Sequence, residues 1–310
     1  MNALIVYKKS VYELYKDSPD KETRAYLEKE GLTEQEMLQS HEEQRCTLES
    51  ITQDLQRLSI PHKEIYRADL HKEDLSPYNL LISVGGDGTL LELSHYIHLP
   101  DLPLLGVNSD PGRSTGFFCS ANRENFRLQM QGIEQEKKTQ VHRLQLIRNG
   151  IPLQEQVLNE VLFAHASPGA GSRFLLQVAK DNPSGENKEP VWVPAQRYRI
   201  SDGITVCTAP GSTGSMYNYD GQVLCLDSEQ MQYKVRGVRG QTSHLAREVK
   251  ITSHSREGKL FVDGNHVVYE LGLGSVLEVK QGIPLTIVGD LQEKQDAFVK
   301  KQKEGENQQQ

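Results

Sequence analysis

The stretch NLLISVGGDGTLLEL, from Asn79 to Leu93, indicates how the first half of the chain folds. Its first six residues form a short apolar run that is typical of a buried β-strand, and its leucines begin a helical pattern. Three glycines, Gly85, Gly86 and Gly88, join the two. Glycine permits the close backbone approach of a tight strand-to-helix turn, and unpaired N–H groups at a helix start favour an anion. The turn is therefore a candidate phosphate site.

Asp87 lies inside this turn, where a carboxylate beside a phosphate is electrostatically costly. Its presence is explained if it holds Mg²⁺ or takes a proton from an attacking hydroxyl group. The alternative is structural, with Asp87 capping the helix that follows a tight turn. The stretch is not a Walker A loop, because no Lys-Ser/Thr pair follows, and its glycine spacing differs from GxGxxG.

The composition indicates a globular protein of two domains. The chain has 310 residues, of which 36% are hydrophobic and 25% charged, enough for two apolar cores. A net charge of −7 argues against a general nucleic-acid binder. The four cysteines form no CxxC pair, so we expect neither zinc nor a disulfide framework, and a cytoplasmic location. No apolar run reaches the length of a membrane span or of a signal peptide.

The first half of the chain alternates predicted strands with predicted helices. This alternation predicts an α/β domain with a parallel, Rossmann-like sheet and helices on both faces. Ligands of such sheets gather at the carboxyl ends of the strands. Lys8 and Lys9 follow the first strand, and they either face phosphates there or are solvated. The predicted strands are Ala3–Tyr7, His62–Arg67, Asn79–Val84 and Pro103–Val107; the predicted helices are Glu42–Leu58, Leu90–Ile97 and Asn122–Gly132, and Asp17–Gln39 is a charge-rich connector.

A polar loop from Gly106 to Phe118 follows the fourth predicted strand, at the same edge of the sheet. It is either a plain connection or part of a ligand cleft. Asn108 offers hydrogen bonds, and Arg113 offers a planar fork that pairs with phosphate. Phe117 is as good a candidate for the core as for a pocket.

From Val141 onward the pattern changes to short alternating runs separated by turns, which predicts an all-β second domain. We place the first domain at residues 1–135 and the second at 136–285. Asp181–Pro190 is predicted to be a surface loop. The candidate strands are Gln140–Arg148, Leu153–Phe163, Arg173–Ala179, Trp192–Tyr198, Gly203–Thr208, Glu248–Ser253, Leu260–Val262 and Ser275–Lys280, with Pro284–Val288 as a last strand and Leu291–Lys303 as a final helix.

Three polar clusters interrupt the β pattern. Asn159 and Glu160 lie next to each other in an apolar run, where the pair either reads a base edge and ribose hydroxyls or lies in water on an edge strand. A loop of small, hydroxyl-rich residues runs from Gly211 to Gly214. It either allows a flat ring or a ribose to lie against its backbone or is simply a flexible loop. Asp263 and Gly264 form a hairpin signal.

These motifs resemble the NAD kinase family of the GGDGT kinase superfamily. Five matches follow the family's order: the glycine turn, the loop after the fourth strand, the Asn-Glu pair, the Asp-Gly to Gly-Ser-Thr run from Asp202, and the Asp-Gly-Asn turn that ends at Asn265. The loop NSDPGRSTGFF, from Asn108 to Phe118, is more similar to the plant NADH kinase and mitochondrial NAD kinase branch.

The resemblance implies a reaction and its site residues. It implies transfer of a phosphoryl group from ATP, or another donor such as polyphosphate, to the adenosine 2′-hydroxyl of NAD or NADH. Asp87 would accept or orient the hydroxyl proton, and Mg²⁺ would bridge the donor phosphates without a dedicated protein metal site. The donor would be bound by Gly85, Gly86, Gly88, Thr89 and Arg113, and the dinucleotide by Asn108, Phe117, Asn159, Glu160, Arg173, Asp202, Thr213, Gly214, Asn218, Asp263 and Asn265.

The chain departs from the family pattern at a few positions. Thr-Pro becomes Ala209-Pro210, Ala-Tyr becomes Gly214-Ser215, a small hydroxylated residue becomes Asn218, and the glutamine after Asp-Gly becomes Asn265. The preference between NAD and NADH therefore stays open. By analogy we also expect residues 286–310 to return to the first domain, and a homodimer or homotetramer. The alternatives are a lipid or sphingoid kinase and a non-catalytic NAD(H)-binding sensor.

Overall fold

The computed structural model describes residues 1–15, 31–180 and 191–308. The predicted surface loop at 181–190 and the first part of the predicted connector lie outside the described residues. The chain forms two compact units. The first consists of Met1–Leu93, Asp101–Thr139 and Thr286–Leu291, and the second of Ser94–Pro100, Gln140–Leu285 and Gln292–Gln310.

The first unit is built on a seven-stranded sheet. Its strand order is β2-β1-β3-β4-β20-β6, with β5 beside β4, and the neighbours of β1 and β4 pair in parallel. The predicted parallel sheet is confirmed, but strand β5 was not predicted from the sequence. The strands are β1 (Ala3–Tyr7), β2 (His62–Tyr66), β3 (Leu80–Gly85), β4 (Leu104–Asn108), β5 (Cys119–Asn122), β6 (Lys138–Val141) and the last strand of the chain, β20 (Leu285–Val288).

Helices cover both faces of this sheet, as the alternating pattern predicts. Ile51 and Leu55 of the second helix and Phe126 of the fourth share one core with residues of β1, β3 and β4. The third helix lies on the other face, where Leu90 approaches Gly106 so closely that a Cβ there would be 2.9 Å from the leucine. The helices are α1 (Val11–Tyr15), α2 (Gly31–Arg57), α3 (Asp87–Ser94) and α4 (Phe126–Gln131).

The second unit contains two antiparallel sheets that share one apolar core. One has the order β11-β10-β16-β19-β7-β8 with β12 beside β10, and the other β15-β14-β13-β9-β17-β18. The predicted all-β domain is confirmed. The strands are β7 (Leu144–Arg148), β8 (Ile151–Val157), β9 (Glu160–His165), β10 (Ser172–Lys180), β11 (Val191–Trp192), β12 (Gln196–Ser201), β13 (Gly203–Cys207), β14 (Met231–Arg236), β15 (His244–Ala246), β16 (Glu248–Ser253), β17 (Gly258–Val262), β18 (Val267–Glu270) and β19 (Val276–Gln281).

The chain returns to the first unit through β20, which pairs with β4. The final helix, α5 (Leu291–Gln308), begins in the first unit, but from Gln292 onward it belongs to the second. There Gln295 donates a hydrogen bond of 3.0 Å to the Leu224 carbonyl, and the Phe298 ring meets Tyr217 edge to face, with centroids 5.1 Å apart. The return predicted for residues 286–310 is therefore made by the strand and the first helical residue.

No helix in the described ranges combines the length and the apolar character needed to cross a membrane.

Candidate active site

The glycine turn joins β3 to α3 through a single residue. β3 ends at Gly85 and α3 begins at Asp87, so Gly86 alone separates them. A Cβ at Gly85 would lie 2.2 Å from Thr89 Oγ1, and one at Gly86 would lie 2.8 Å from Ser114 Oγ. The space therefore favours glycine at Gly85, whereas a Cβ at Gly86 would require the Ser114 hydroxyl to turn away. The Thr89 N–H already bonds to the Gly86 carbonyl at 3.0 Å, so the N–H groups of Asp87 and Gly88, the first two of the helix, are the donors that the turn offers to an anion.

Thr89 adds an unpaired hydroxyl group to the turn. Its side chain is buried, and Oγ1 has no hydrogen-bond partner within the part of the chain that the structure describes. Buried hydroxyl groups are nearly always paired, so an unpaired one calls for an explanation. A phosphate oxygen bound at the turn would supply the missing partner.

A cavity of about 640 Å³ opens onto this turn, and we call it the glycine-turn cavity. Its size lies in the range of small-molecule sites. Residues of one unit line it, including Gly86, Asp87, Gly88 and Thr89 of the turn. It also has four cationic side chains, which are Lys8, Lys9, Arg67 and Arg113.

Three of these four cations are already engaged. The Lys9 ammonium lies 4.8 Å from the centre of the Tyr66 ring, and Arg67 pairs with Glu92 at 3.1 Å. Arg113, predicted to bind phosphate, pairs with Asp110 at 3.1 Å and donates a bond of 2.7 Å to Gln39. Arg113 lines the cavity, but the phosphates of a bound nucleotide would have to compete with Asp110 and Gln39 for its guanidinium group.

Asp87 connects the turn with the loop that follows β4. Its two carboxylate oxygens accept hydrogen bonds from the backbone N–H groups of Phe117 and Phe118, each at 2.9 Å. The carboxylate thus pairs with this loop, in contrast to the helix-capping alternative. Each oxygen keeps a further lone pair, so the side chain can still accept a proton or a hydrogen bond at the cavity.

Asn108 shapes the same loop. Its amide donates to the Ser114 carbonyl at 3.0 Å and accepts from the Asp110 N–H at 3.1 Å. Gly116 has a φ of +57° and leaves no room for a Cβ, which would lie 2.5 Å from the Asn108 amide nitrogen. The structure therefore uses Asn108 within the loop. Phe117, also predicted to bind the dinucleotide, is half-buried and packs edge to face on Phe118.

In the second unit, Asp263 fixes the backbone of the Asn-Glu pair. Its fully buried carboxylate accepts three hydrogen bonds of 2.8 Å from the N–H groups of Leu158, Asn159 and Glu160. His95 contacts the same carboxylate through Nε2 at 2.9 Å. Asp263 was predicted to bind the dinucleotide, and in the structure its carboxylate accepts hydrogen bonds from the backbone of the Asn-Glu pair.

This carboxylate also explains why the predicted strand Leu153–Phe163 is two strands. β8 and β9 belong to different sheets, and the chain crosses between them at Leu158 and Asn159. Where the chain crosses, its backbone N–H groups have no hydrogen-bond partner in either β-sheet, and buried N–H groups need another acceptor. Asp263 provides it.

The hydroxyl-rich loop packs against the Asn-Glu pair. A Cβ at Gly211 would lie 2.0 Å from the Asn159 carbonyl oxygen, and the Thr208 hydroxyl bonds to the Leu158 carbonyl at 2.7 Å. The Ser215 hydroxyl donates to the Glu160 carboxylate. Burial raises the pKa of Glu160, and the hydrogen bond from Ser215 opposes that rise.

Thr213 and Gly214 belong to this cluster. Thr213 lies in a 3₁₀ turn, Pro210–Thr213, where its hydroxyl donates to the Pro210 carbonyl at 3.0 Å. Gly214 follows directly and borders the Asn159 amide. Asn218 and Asn265 are exposed, the first in the 3₁₀ turn Tyr217–Tyr219 and the second just after Asp263.

Asp202 and Arg173 lie elsewhere in the second unit. Cys207 at the end of β13 is opposite Glu160, whereas Asp202 precedes the first residue of that strand. Five residues of extended chain span roughly 17 Å, so Asp202 is at the opposite end of the sheet. Arg173 is exposed and lines a separate cavity of about 510 Å³ together with His165, His254 and Arg256. The predicted dinucleotide residues of this unit therefore fall into two groups.

His95 was missed by the sequence analysis, because a lone histidine after a helical run carries no signal. Arg143 holds the backbone on both sides of it, donating to the carbonyls of Ser94 at 2.6 Å and Ile97 at 2.8 Å. Burial lowers the pKa of Arg143 to about 10, and the charge of Asp263 counteracts this. Arg143, His95 and Asp263 form a buried support for the Asn-Glu pair.

The described residues contain no group of three or more His, Cys, Asp and Glu side chains arranged to hold a metal ion. Asp87 is the carboxylate of the glycine turn, and it is one side chain that could bind Mg²⁺ there. Magnesium commonly keeps several waters and is bound through one or two carboxylates and substrate phosphates. The residues present fit a magnesium ion carried mainly by its nucleotide.

A parallel-sheet unit with a GGDGT turn, followed by an all-β unit, defines a kinase of the GGDGT type. Among curated proteins, a probable NADH kinase of Oryza sativa subsp. japonica is 30% identical over 262 residues, covering 74% of this chain and 76% of that protein. The NADH kinase of Arabidopsis thaliana is 30% identical over 278 residues, covering 74% and 78%. No family model matches. The chain belongs to the NAD kinase family, which includes these plant NADH kinases.

Solved structures confirm the fold. The crystal structure of an NAD kinase from Archaeoglobus fulgidus in complex with ATP matches with a TM-score of 0.62 and 18% identity, covering 97% of this chain and 98% of that one. Yeast NADH kinase complexed with NADH matches with a TM-score of 0.65 and 14% identity, covering 97% and 86%. The predicted fold class and the resemblance to the family are both confirmed.

Proposed function

We propose that the protein is an NAD(H) kinase, which transfers a phosphoryl group from ATP to the adenosine 2′-hydroxyl of NAD or NADH and produces NADP(H). The observation that carries the proposal is the glycine turn, where free N–H groups, an unpaired Thr89 hydroxyl and the Asp87 carboxylate border one cavity. The kinases named among its relatives support the choice of acceptor.

The first unit would bind the phosphate donor. Phosphoryl transfer needs positioned groups and neutralised charge more than covalent chemistry. The N–H groups at the start of α3 and the Thr89 hydroxyl would hold the donor phosphates, and Gly88 keeps the approach open, since no described atom lies within 4 Å of a Cβ built there. When bound with the nucleotide, Mg²⁺ would neutralise charge on these phosphates.

The second unit would bind the dinucleotide through the Asn-Glu pair and the loop packed against it. Asn159 supplies an amide that can read the edge of a base, and Glu160 a carboxylate that can accept from ribose hydroxyls. Thr213 and Gly214 would border the same ligand. Asp263 acts through the backbone of the pair, so we assign it a positioning role.

Asp87 would act as the general base. The proton of the 2′-hydroxyl passes to a carboxylate oxygen while the hydroxyl oxygen attacks the γ-phosphorus. The bond from the γ-phosphorus to the bridging oxygen breaks, and the nucleoside diphosphate leaves with the bond's electrons. The Asp87 carboxylate accepts hydrogen bonds from the Phe117 and Phe118 N–H groups, and these two bonds fix its orientation.

We further propose a cytoplasmic homodimer formed through the second unit. Ile200, on β12, is 76% exposed, and Leu273 is 68% exposed. A subunit interface would cover large apolar side chains of this kind.

The experiment that tests the function is a coupled assay for NADP(H) formation with purified protein, ATP and Mg²⁺, comparing NAD with NADH as acceptor. We expect product from at least one acceptor, and the ratio of the two rates measures the preference. Replacing ATP with polyphosphate tests the donor. Absence of product with every donor and acceptor would contradict the proposal and would leave a dinucleotide sensor or a lipid kinase.

A further inference from the structure

Among the four cations of the glycine-turn cavity, Lys8 alone has an ammonium group with no hydrogen bond, ion pair or aromatic-ring contact to the described residues, whereas Lys9 contacts the Tyr66 ring. Lys8 follows β1 directly and therefore lies at the carboxyl edge of the sheet. Its stem runs along the turn, because its Cδ atom is 3.4 Å from the position of a Cβ at Gly85. Its own carbonyl accepts a hydrogen bond from Gln44, which fixes the backbone.

The surroundings of the Lys8 ammonium favour binding of an anion. Burial lowers the pKa of Lys8, Arg67 lowers it further, and the charges of Asp110 and Cys119 oppose this. A partly buried charge without a counter-ion is costly. A bound phosphate would repay that cost, since opposite charges attract strongly where water is partly excluded.

We propose that Lys8 is the donor-phosphate lysine of this kinase, with its ammonium pairing with the non-bridging oxygens of the transferred phosphoryl group and its neighbour. The inference rests on the proposed function. A Walker A loop supplies such a lysine from within its own motif, and the GGDGT turn has none. Here the neighbouring strand supplies it. The ammonium forms no covalent bond, and it neutralises charge that develops as the phosphoryl group moves.

The first test compares Lys8→Met and Lys8→Arg with the wild-type chain. For Lys8→Met we expect kcat/KM for ATP to fall about 100-fold, a loss typical of removing one charge-stabilising donor, while dinucleotide binding measured by calorimetry is unchanged. Lys8→Arg restores most of the activity, because it keeps the charge. A Lys8→Met value within about threefold of wild type would overturn the proposal, since a stabilising donor is worth far more than that.

Lys72→Met is the matched control. Lys72 lies in the same unit, pairs with Asp69 at 2.6 Å on the surface, and does not line the cavity. We expect wild-type kinetics from this variant. Thermal unfolding of all variants separates a loss of binding from a loss of folding.

A second readout does not depend on turnover. Inorganic tripolyphosphate should bind to the wild-type chain, and Lys8→Met should weaken that binding at least tenfold at low ionic strength, where a charge pair is screened least. If the wild type binds tripolyphosphate and Lys8→Met weakens that binding, but the wild type phosphorylates neither NAD nor NADH, the proposed function fails while the role of Lys8 in phosphate binding stands. If Lys8→Met binds tripolyphosphate as well as wild type does, the inference fails.

The pH profile supplies a third readout. The charged side chains that line the cavity with Lys8 are Lys9, Glu36, Arg67, Asp87 and Arg113, and the nearby titratable groups Asp110 and Cys119 also act on its pKa. Because the pKa of Lys8 is lowered, its charge is lost at lower pH than that of an ordinary lysine, and kcat/KM for ATP should fall over that range. Lys8→Arg should remove this alkaline limb, because arginine stays protonated. An unchanged limb in Lys8→Arg would contradict the assignment.

Discussion

Single residues at the glycine turn serve both structure and chemistry. Asp87 orders the loop after β4 through two backbone N–H groups and faces the cavity with the same carboxylate. The sequence singled out this residue because a carboxylate beside a phosphate site needs a reason. It could not reveal the bonds to Phe117 and Phe118, which lie about 30 residues further along the chain.

Asp87→Asn tests the catalytic assignment. An asparagine keeps one acceptor but turns an NH₂ group toward one of the two backbone N–H groups, so we expect a loss of about 2 kcal/mol of stability. Turnover should fall by 10²-fold or more, as expected for loss of a general base. Denaturant unfolding measures the first effect, and the NADP(H) assay the second.

Asp74→Asn provides the control for that variant. Asp74 lies in the same unit and also accepts a backbone N–H, that of Ser76 at 3.0 Å, but it lies outside the cavity. It should lose a little stability and no turnover. Full activity in a folded Asp87→Asn protein would show that Asp87 is not the base.

Gly85→Ala tests the tightness of the turn. The added Cβ would meet Thr89 Oγ1 at 2.2 Å, so the hydroxyl or the helix start must move. We expect KM for ATP to rise roughly 10-fold or more, because small displacements of positioning groups are costly in catalysis. Gly132→Ala is the control, because a Cβ at Gly132 meets no atom within 4 Å, and it should leave KM for ATP unchanged. Gly150→Ala is unsuitable as a control, since Gly150 has a φ of +79°.

At the scale of elements, the sequence predicted strands and helices that depend on neighbouring residues. It did not predict breaks in a strand that depend on residues distant in the chain. The run from Asn79 to Leu93 determines its own strand, turn and helix, so it could be predicted from periodicity and glycine spacing. Leu153–Phe163 could not, because its break depends on Asp263, about 100 residues away. Strands β14, β15 and β18 were not predicted either, and of these β15 and β18 are brief runs that carry little pattern.

Asp263→Asn tests the crossing between β8 and β9. The amide keeps one acceptor for three N–H groups, and buried donors without partners are costly. We expect a loss of about 3 kcal/mol in the free energy of unfolding, and a higher KM for the dinucleotide because the Asn-Glu pair shifts. Denaturant unfolding and steady-state kinetics measure the two effects.

Asp220→Asn is the control for that change. Asp220 is exposed in the second unit and has a φ of +58°, a conformation that asparagine tolerates. Its stability and KM should match wild type. If Asp263→Asn is as stable as this control, the carboxylate does not support the crossing.

At the scale of the whole molecule, the sequence predicted an α/β unit followed by an all-β unit, and the structure agrees. By analogy, residues 286–310 were expected to return to the first unit, but from Gln292 onward the final helix belongs to the second. Its contacts, between Phe298 and Tyr217 and between Gln295 and Leu224, depend on tertiary structure. Asn218 replaces a small hydroxylated residue of the family pattern, so the preference between NAD and NADH has to be measured.

The oligomeric state is a further expectation at this scale. The chain has a mass of 35.0 kDa, so light scattering on a sizing column should give about twice that value for a dimer. Ile200→Asp should shift the protein toward the monomer, because it places a charge in an apolar interface. A wild-type protein that is monomeric at high concentration would contradict the dimer.

The most direct test of the central claim follows labelled phosphate. Wild-type protein is incubated with Mg²⁺ and ATP labelled at the γ-phosphate, with NAD and NADH in separate reactions, and the dinucleotide product is isolated. The account predicts label on the adenosine 2′-oxygen of at least one acceptor, and almost none with Asp87→Asn. Label found only in inorganic phosphate, or on a different hydroxyl group, would contradict it.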